Sequence, residues 1–158
     1  MTLTERIRVK ASAAQVWVIL GDVSFMGLWN PKCVRCDAPG SPARVGLRFK
    51  AAFRLGEPER QADCEVIDCR PECLLMIWHS GDFSGRGIGH VDESFQLRPS
   101  RGDTRIVHAV DYSCSGLPWA LLAFLKIMDV VGRKASKSSL DCLKELVENP
   151  AHRGDCGG

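Results

Sequence analysis

The two ends of this chain constrain its fold more than anything between them. Residues Leu3 to Lys10 alternate, with Leu3, Ile7 and Val9 on one side and Thr2, Thr4, Arg6, Arg8 and Lys10 on the other. That is the period of a half-buried strand; Glu5, on the apolar side, breaks it. Ser12 follows where a helix N-cap belongs, with Gln15 three residues on, the pattern of a capping box. Val16, Trp17, Ile19 and Leu20 supply an apolar stripe, and Gly21 ends the helix. Ser24 caps a second, shorter helix carrying Phe25, Met26, Leu28 and Trp29, and Pro31 stops it.

The other bracket is Pro118–Glu148, read as one amphipathic helix. Leu121, Leu125, Met128, Gly132, Ala135, Ser139, Cys142 and Leu146 recur at helical spacing, opposite Lys126, Asp129, Arg133, Lys137, Asp141 and Lys144. About thirty residues of helix reach roughly 45 Å, enough to cross a small domain. Small residues in the middle of its buried face let it lie close to a sheet or leave space beside it.

Between the brackets, strands are expected at about Cys33–Asp37, Val45–Leu55, Arg60–Asp68, Leu74–His79, Gly87–Arg98 and Thr104–Ser113, separated by Pro-, Gly- and Asp-rich turns. Short loops between successive strands imply an antiparallel meander. Leu47, Phe49, Ala51 and Phe53 alternate with charged residues, so one face is apolar and the other wet. In the hairpin Gly87–Ser113, pairing Leu97 with Thr104 and Phe95 with Ile106 puts the apolar residues and Tyr112 on one side. A one-residue slip would mix the two faces. The same register sets Glu93 directly across from His108 on the apolar side. An inward Glu–His pair is the one constellation here that looks like chemistry, either a proton-transfer pair or a polar anchor for a ligand. In the hairpin Ala62–His79 two registers sort equally well; the one favoured turns Trp78 inward and His79 outward. The glycines from Gly81 to Gly89 lack the spacing of a dinucleotide loop, and fit a loop at a cavity rim or a bulge.

Length and charge exclude several classes. A chain of 158 residues is one domain by size, taken as 1–149 with a disordered tail over 150–158. The net charge of +2 is spread without a basic patch, which argues against nucleic acid. No apolar run reaches the ~20 residues of a membrane span, so no stable membrane insertion is expected. The N-terminus lacks a signal peptide, and a cytoplasmic location follows. The eight cysteines read as small buried hydrophobes in a reducing compartment. Cys33 and Cys36, three apart in a strand, should face opposite ways, so neither a metal nor a redox pair is expected. Arg153-Gly154-Asp155 in the tail is read as chance.

Ala11-Ser12-Ala13-Ala14-Gln15-Val16-Trp17, Gly21-Asp22, Leu28-Trp29-Asn30-Pro31, Val45-Gly46-Leu47-Arg48-Phe49, Glu65-Val66-Ile67-Asp68 and Gly102-Asp103-Thr104-Arg105-Ile106, taken in order, resemble the polyketide cyclase/START-related lipid-binding superfamily, SRPBCC. The likeness runs from Leu3 to Glu148, with Arg70-Pro71 where the superfamily usually has Pro-Pro. It implies an α+β helix-grip fold: a curved antiparallel sheet of about seven strands wrapped around a long C-terminal helix, with two short helices after the first strand. It implies a cavity for a lipid, polyketide or aromatic molecule, and packing roles for Trp17 and Trp29. It implies no cofactor, since the metal-bearing branches add an iron–sulfur domain for which this chain is too short.

The expected ligand walls are Phe49, Phe53, Trp78, Phe95, Ile106, Phe124 and Met128. The expected function is carriage or sensing of a hydrophobic small molecule. The alternative is a cyclase or aromatase in which Glu93 sets the tautomer of His108 as base and Tyr112 donates to an oxyanion. A third reading gives the apolar stretch Trp119–Val131 to a membrane surface or a second subunit, which makes a homodimer one partner to test.

Overall fold

The computed structural model describes residues 1–40, 42–54, 58–83, 85, 87–120, 122–123 and 137–149. Strand β1 (Thr2–Val9) is followed by helix α1 (Ala13–Leu20), a 3-10 turn (Val23–Phe25) and the single-turn helix α2 (Met26–Trp29). Six strands come next: β2 (Cys33–Cys36), β3 (Arg48–Phe53), β4 (Arg60–Arg70), β5 (Leu74–Gly81), β6 (Gly89–Ser100) and β7 (Asp103–Asp111). Helix α3 (Ser139–Glu148) is the last described element.

The N-terminal signals act as read. Ser12 and Gln15 form a reciprocal capping box, and Gly21 closes α1 with its N–H on the Trp17 carbonyl. Asp22, two residues before the expected Ser24, caps the 3-10 turn. The strands form one antiparallel sheet in the order β1-β7-β6-β5-β4-β3-β2, so the first strand closes against the last. The sheet curls in a helix-grip architecture, and its inner face packs Phe49, Val66, Leu75, Ile77, Phe95, Leu97 and Ile106 against Val16, Ile19, Leu20, Met26 and Trp29 of the N-terminal helices and Leu140, Leu143 and Leu146 of α3. Full burial of each such side chain contributes about 1.5–3 kcal/mol, which is what holds the helices in the curl.

Four details depart from the sequence reading. Ser138 is extended (φ −79°, ψ 168°) and starts α3 with its own capping box to Asp141. One unbroken helix from Pro118 to Glu148 is therefore not formed. The buried stripe of α3 is Leu140, Cys142, Leu143 and Leu146, centred one residue away from the expected Ser139 line. Ser138 also explains Glu5: its hydroxyl donates to Glu5 Oε1 at 2.6 Å, so the carboxylate on the apolar side of β1 anchors the start of α3.

The third departure is the β6–β7 register. The pairs are Leu97 with Ile106, Phe95 with His108 and Glu93 with Val110, two residues from the expected alignment. A shift of two keeps every side chain on its face, so face sorting could not detect it. The turn decides it: Ser100 pairs with Asp103 across a two-residue loop in which Arg101 (φ 44°) and Gly102 (φ 91°) both have positive φ, the mirror-image turn that suits strand twist. The fourth is a bulge in β2 at Val34, which lets Cys33 pair with Phe53 and Cys36 with Ala51. Cys33 and Cys36 thus share a face instead of opposing each other, and both are free thiols.

Candidate functional site

Among the described residues, a row of polar side chains crosses the mostly apolar inner face from strand to strand; Thr104 stands apart from it, its hydroxyl donating to the Ala11 carbonyl at 2.8 Å. Strand pairing builds the row. Cys64 on β4 is directly opposite His79 on β5, and His108 on β7 is directly opposite Glu5 on β1. Glu93 on β6 sits diagonally between the two histidines, because its own partners are Ile77 and Val110. Diagonal neighbours on one face lie within reach of long side chains. Glu93 uses both oxygens: Oε2 is 3.0 Å from His79 Nε2 and Oε1 is 2.7 Å from His108 Nε2. On the far side of His79, Nδ1 is 3.2 Å from Cys64 Sγ. Cys64, His79, Glu93 and His108 are all buried.

Electrostatics set the protons along this row. Burial pushes the Glu93 carboxyl up, but hydrogen bonds from His108 and His79, with their favourable charge interaction, outweigh it and hold the group well below the usual carboxylate range. An ionised carboxylate only accepts, so each Nε2 carries a hydrogen. In its neutral form such an imidazole presents Nδ1 as a lone pair. At His79 that lone pair receives the Cys64 thiol, which burial above all, and then the neighbouring Cys36 thiol and Glu93, keep protonated. At His108, Nδ1 has no hydrogen-bond partner among the described residues. The ring itself is fixed by stacking on Phe95, with centroids 4.4 Å apart and planes 10° apart, and Phe95 meets Trp29 edge-on at 5.2 Å. His108 is therefore an oriented imidazole, held through Nε2 by the carboxylate and through its ring face by Phe95. Among the described residues no group of three or more His, Cys, Asp or Glu converges to hold a metal. The row is a chain, not a cage.

Sequence reasoning brought Glu93 and His108 together correctly, though diagonally. Phe49, Phe53, Phe95 and Ile106 face inward and are buried, with Phe53 edge-on to the His79 ring at 5.5 Å. Trp78 is a correction. It alternates with Ile77 and His79, which point in, and so lies half-buried on the outer face against His90 at 5.8 Å. Tyr112 follows the last residue of β7, half-buried, with its N–H on the Met1 carbonyl; His79 is a further group on the Glu93–His108 pair. Phe124 and Met128 lie outside the described residues, as do most of Trp119–Val131 and the tail from 150. His79 was the missed member. Its signal was available: an inward Glu93 on β6 needs a polar neighbour on β5, and only the register that places His79 inside supplies one.

A curled antiparallel sheet gripping helices, with a buried polar row across its inner face, defines a helix-grip protein. The chain belongs to the family described as polyketide cyclase / dehydrase and lipid transport, whose model matches residues 1–148. Its fold is similar to that of protein CV1439 from Chromobacterium violaceum (TM-score 0.67, 18% identity, covering 93% of this chain and 96% of that one). It is also similar to DynU16, a putative protein in the dynemicin biosynthetic locus (TM-score 0.64, 19% identity, covering 94% of this chain and 48% of that one). The Aha1 dimer from Colwellia psychrerythraea is a further structural relative (TM-score 0.60, 19% identity, covering 94% and 97%). No curated protein matches this chain. Among the described residues, no helix is long and apolar enough to cross a membrane.

Proposed function

We propose that the inner face holds an apolar small molecule and receives its one hydroxyl, phenol or enol hydrogen at His108 Nδ1. A single observation carries this reading: a polar row satisfied internally from Cys64 to His108 ends in an acceptor with no partner among the described residues. Phe49, Phe53, Phe95 and Ile106 supply the apolar surroundings. Such a site suits the family description, which includes lipid transport. Native mass spectrometry of freshly purified protein, with identification of any released molecule, tests occupancy. The probe test compares 1-naphthol with naphthalene. His108→Phe should weaken 1-naphthol binding by about tenfold, the worth of one hydrogen bond, and leave naphthalene unchanged. Equal loss for both probes, or for neither, refutes the anchor.

The carboxylate behind His108 favours a second reading, proton transfer from carbon. His108 Nδ1 would take a hydrogen next to a ligand carbonyl while Glu93 stabilises the imidazolium, as in a cyclase or dehydratase. DynU16 is placed by name in a biosynthetic locus, which fits such a role here. Glu93→Gln should then abolish turnover of a poly-β-carbonyl substrate while retaining its binding; full turnover in that variant sinks the reading. A homodimer, as in the Colwellia relative, is checked by sedimentation across a range of concentrations.

A further inference from the structure

The other end of the row carries a different chemistry. Cys64 Sγ, His79 Nδ1, His79 Nε2 and Glu93 Oε2 stand in line, at 3.2 Å between thiol and imidazole and 3.0 Å between imidazole and carboxylate. That is the order of a nucleophile, its base and a third group that orients the base; the thiol itself rests protonated, so removal of its proton by His79 is the step the row must supply. The arrangement is fixed from three strands. Cys64 and His79 are direct cross-strand partners, and Phe53 braces the His79 ring edge-on. Cys64 Sγ also lies 3.8 Å from the Ala62 carbonyl oxygen, so its imidazole contact is the shorter of two; the thiols of Cys33, Cys36 and Cys69 bond to backbone carbonyls.

We propose that Cys64, with His79 as base and Glu93 as its orienting group, adds covalently and reversibly to apolar α,β-unsaturated carbonyl compounds held on the inner face. The inference rests on the binding reading above. In the step, the Cys64 S–H proton passes to His79 Nδ1 and the sulfur pair forms a bond to the β-carbon. The C=C pair moves to the α-carbon, which then takes the proton back from His79. Thiol and enal become one thioether, with no other reactant. Conjugate addition suits the site better than acyl transfer. Acyl transfer needs free N–H groups for a tetrahedral oxyanion, and Cys64, His79 and Glu93 all lie within strands paired on both sides, whose amides serve the ladder.

Burial makes the thiol selective. Cys64 is 2% exposed, so a polar reagent in water should reach the exposed Cys73 and Cys114 first, whereas an apolar enal that enters the inner face meets Cys64. The test uses the full chain with Cys73, Cys114 and Cys156 changed to Ser. It is incubated with trans-2-nonenal, or with iodoacetamide as the polar control, and analysed by intact mass and peptide mapping. The expected result is a single nonenal adduct on Cys64, little iodoacetamide labelling there, and no adduct in Cys64→Ser. His79→Gln should slow addition by about 100-fold, the usual worth of a positioned base. Glu93→Gln, which retains an acceptor for His79, should slow it less. No nonenal on Cys64 in the folded protein, with ready addition after denaturation, overturns the proposal. So does addition at an undiminished rate in folded His79→Gln. 2-Nonanone, which has no conjugated double bond, separates the two readings. If native mass spectrometry shows it bound while nonenal fails to add, only the covalent inference falls. If neither ligand binds, the binding reading falls with it.

Discussion

Replacing Glu93 by Gln should cost stability in a way that reports on the whole polar row. In the native protein the carboxylate accepts from two imidazoles, at 3.0 Å and 2.7 Å. An amide has one oxygen to accept and one NH2 to donate, so only one histidine can keep its Nε2–H. His79 is the one held, because its Nδ1 already receives Cys64. His108 has no such tie among the described residues, so it should switch its hydrogen to Nδ1 and accept from the new amide through Nε2. Two charge-assisted hydrogen bonds at about 1.5–3 kcal/mol each thereby become two neutral ones at about 0.5–1.5 kcal/mol, a net loss of about 2–3 kcal/mol. For a domain of this size the melting temperature should fall by roughly 5–10 °C. The sign with pH follows from the lowered Glu93 pKa. The folded value lies below the ordinary 4.5, so the stabilisation is complete above the unfolded value and is lost as pH falls toward the folded one. The gap between wild type and variant should be full above about pH 5 and close progressively below about pH 4. Urea denaturation across pH measures the gap, and imidazole 15N chemical shifts report the His108 tautomer. A variant as stable as wild type at neutral pH, or an unchanged His108 tautomer, refutes the reasoning.

Ser138→Ala removes both the N-cap of α3 and the hydroxyl on Glu5, and should destabilise by about 1–2 kcal/mol in urea denaturation. Gly89→Ala would drive a Cβ into the Ser115 carbonyl oxygen, and should cost about 1–3 kcal/mol; an unchanged denaturation midpoint would show that residues 112–117 yield freely. Burial, and then Cys36, push the Cys33 thiol up to about 12. At about pH 8 a chromogenic disulfide should therefore titrate the exposed Cys73 and Cys114 and leave Cys33 silent until urea is added.

Much of the architecture was legible because it rests on local chemistry. Ser12 and Gln15 cap a helix wherever they stand three residues apart in this order, and alternation in β1, β3 and β6 assigns faces without knowledge of neighbours. Those two signals yield the element order, the antiparallel sheet and the inward placement of Glu93, His108, Phe49, Phe53, Phe95 and Ile106. The positions along the strands are another matter. Alternation is blind to a two-residue shift, so the Glu93–His108 contact came out opposite when it is diagonal. β5 offered two apolar faces, so the choice between Trp78 and His79 needed β6 beside it. The bulge at Val34 shows only in the pairing of β2 with β3, and the break before Ser139 joins a local Ser138–Asp141 cap to Glu5 of β1. Sequence by itself determined which side chains of β1, β3, β6 and β7 turn inward. Only the tertiary structure decided which of them touch, because strand pairing brings together residues distant in the chain, and those contacts set the protons on Cys64, His79, Glu93 and His108.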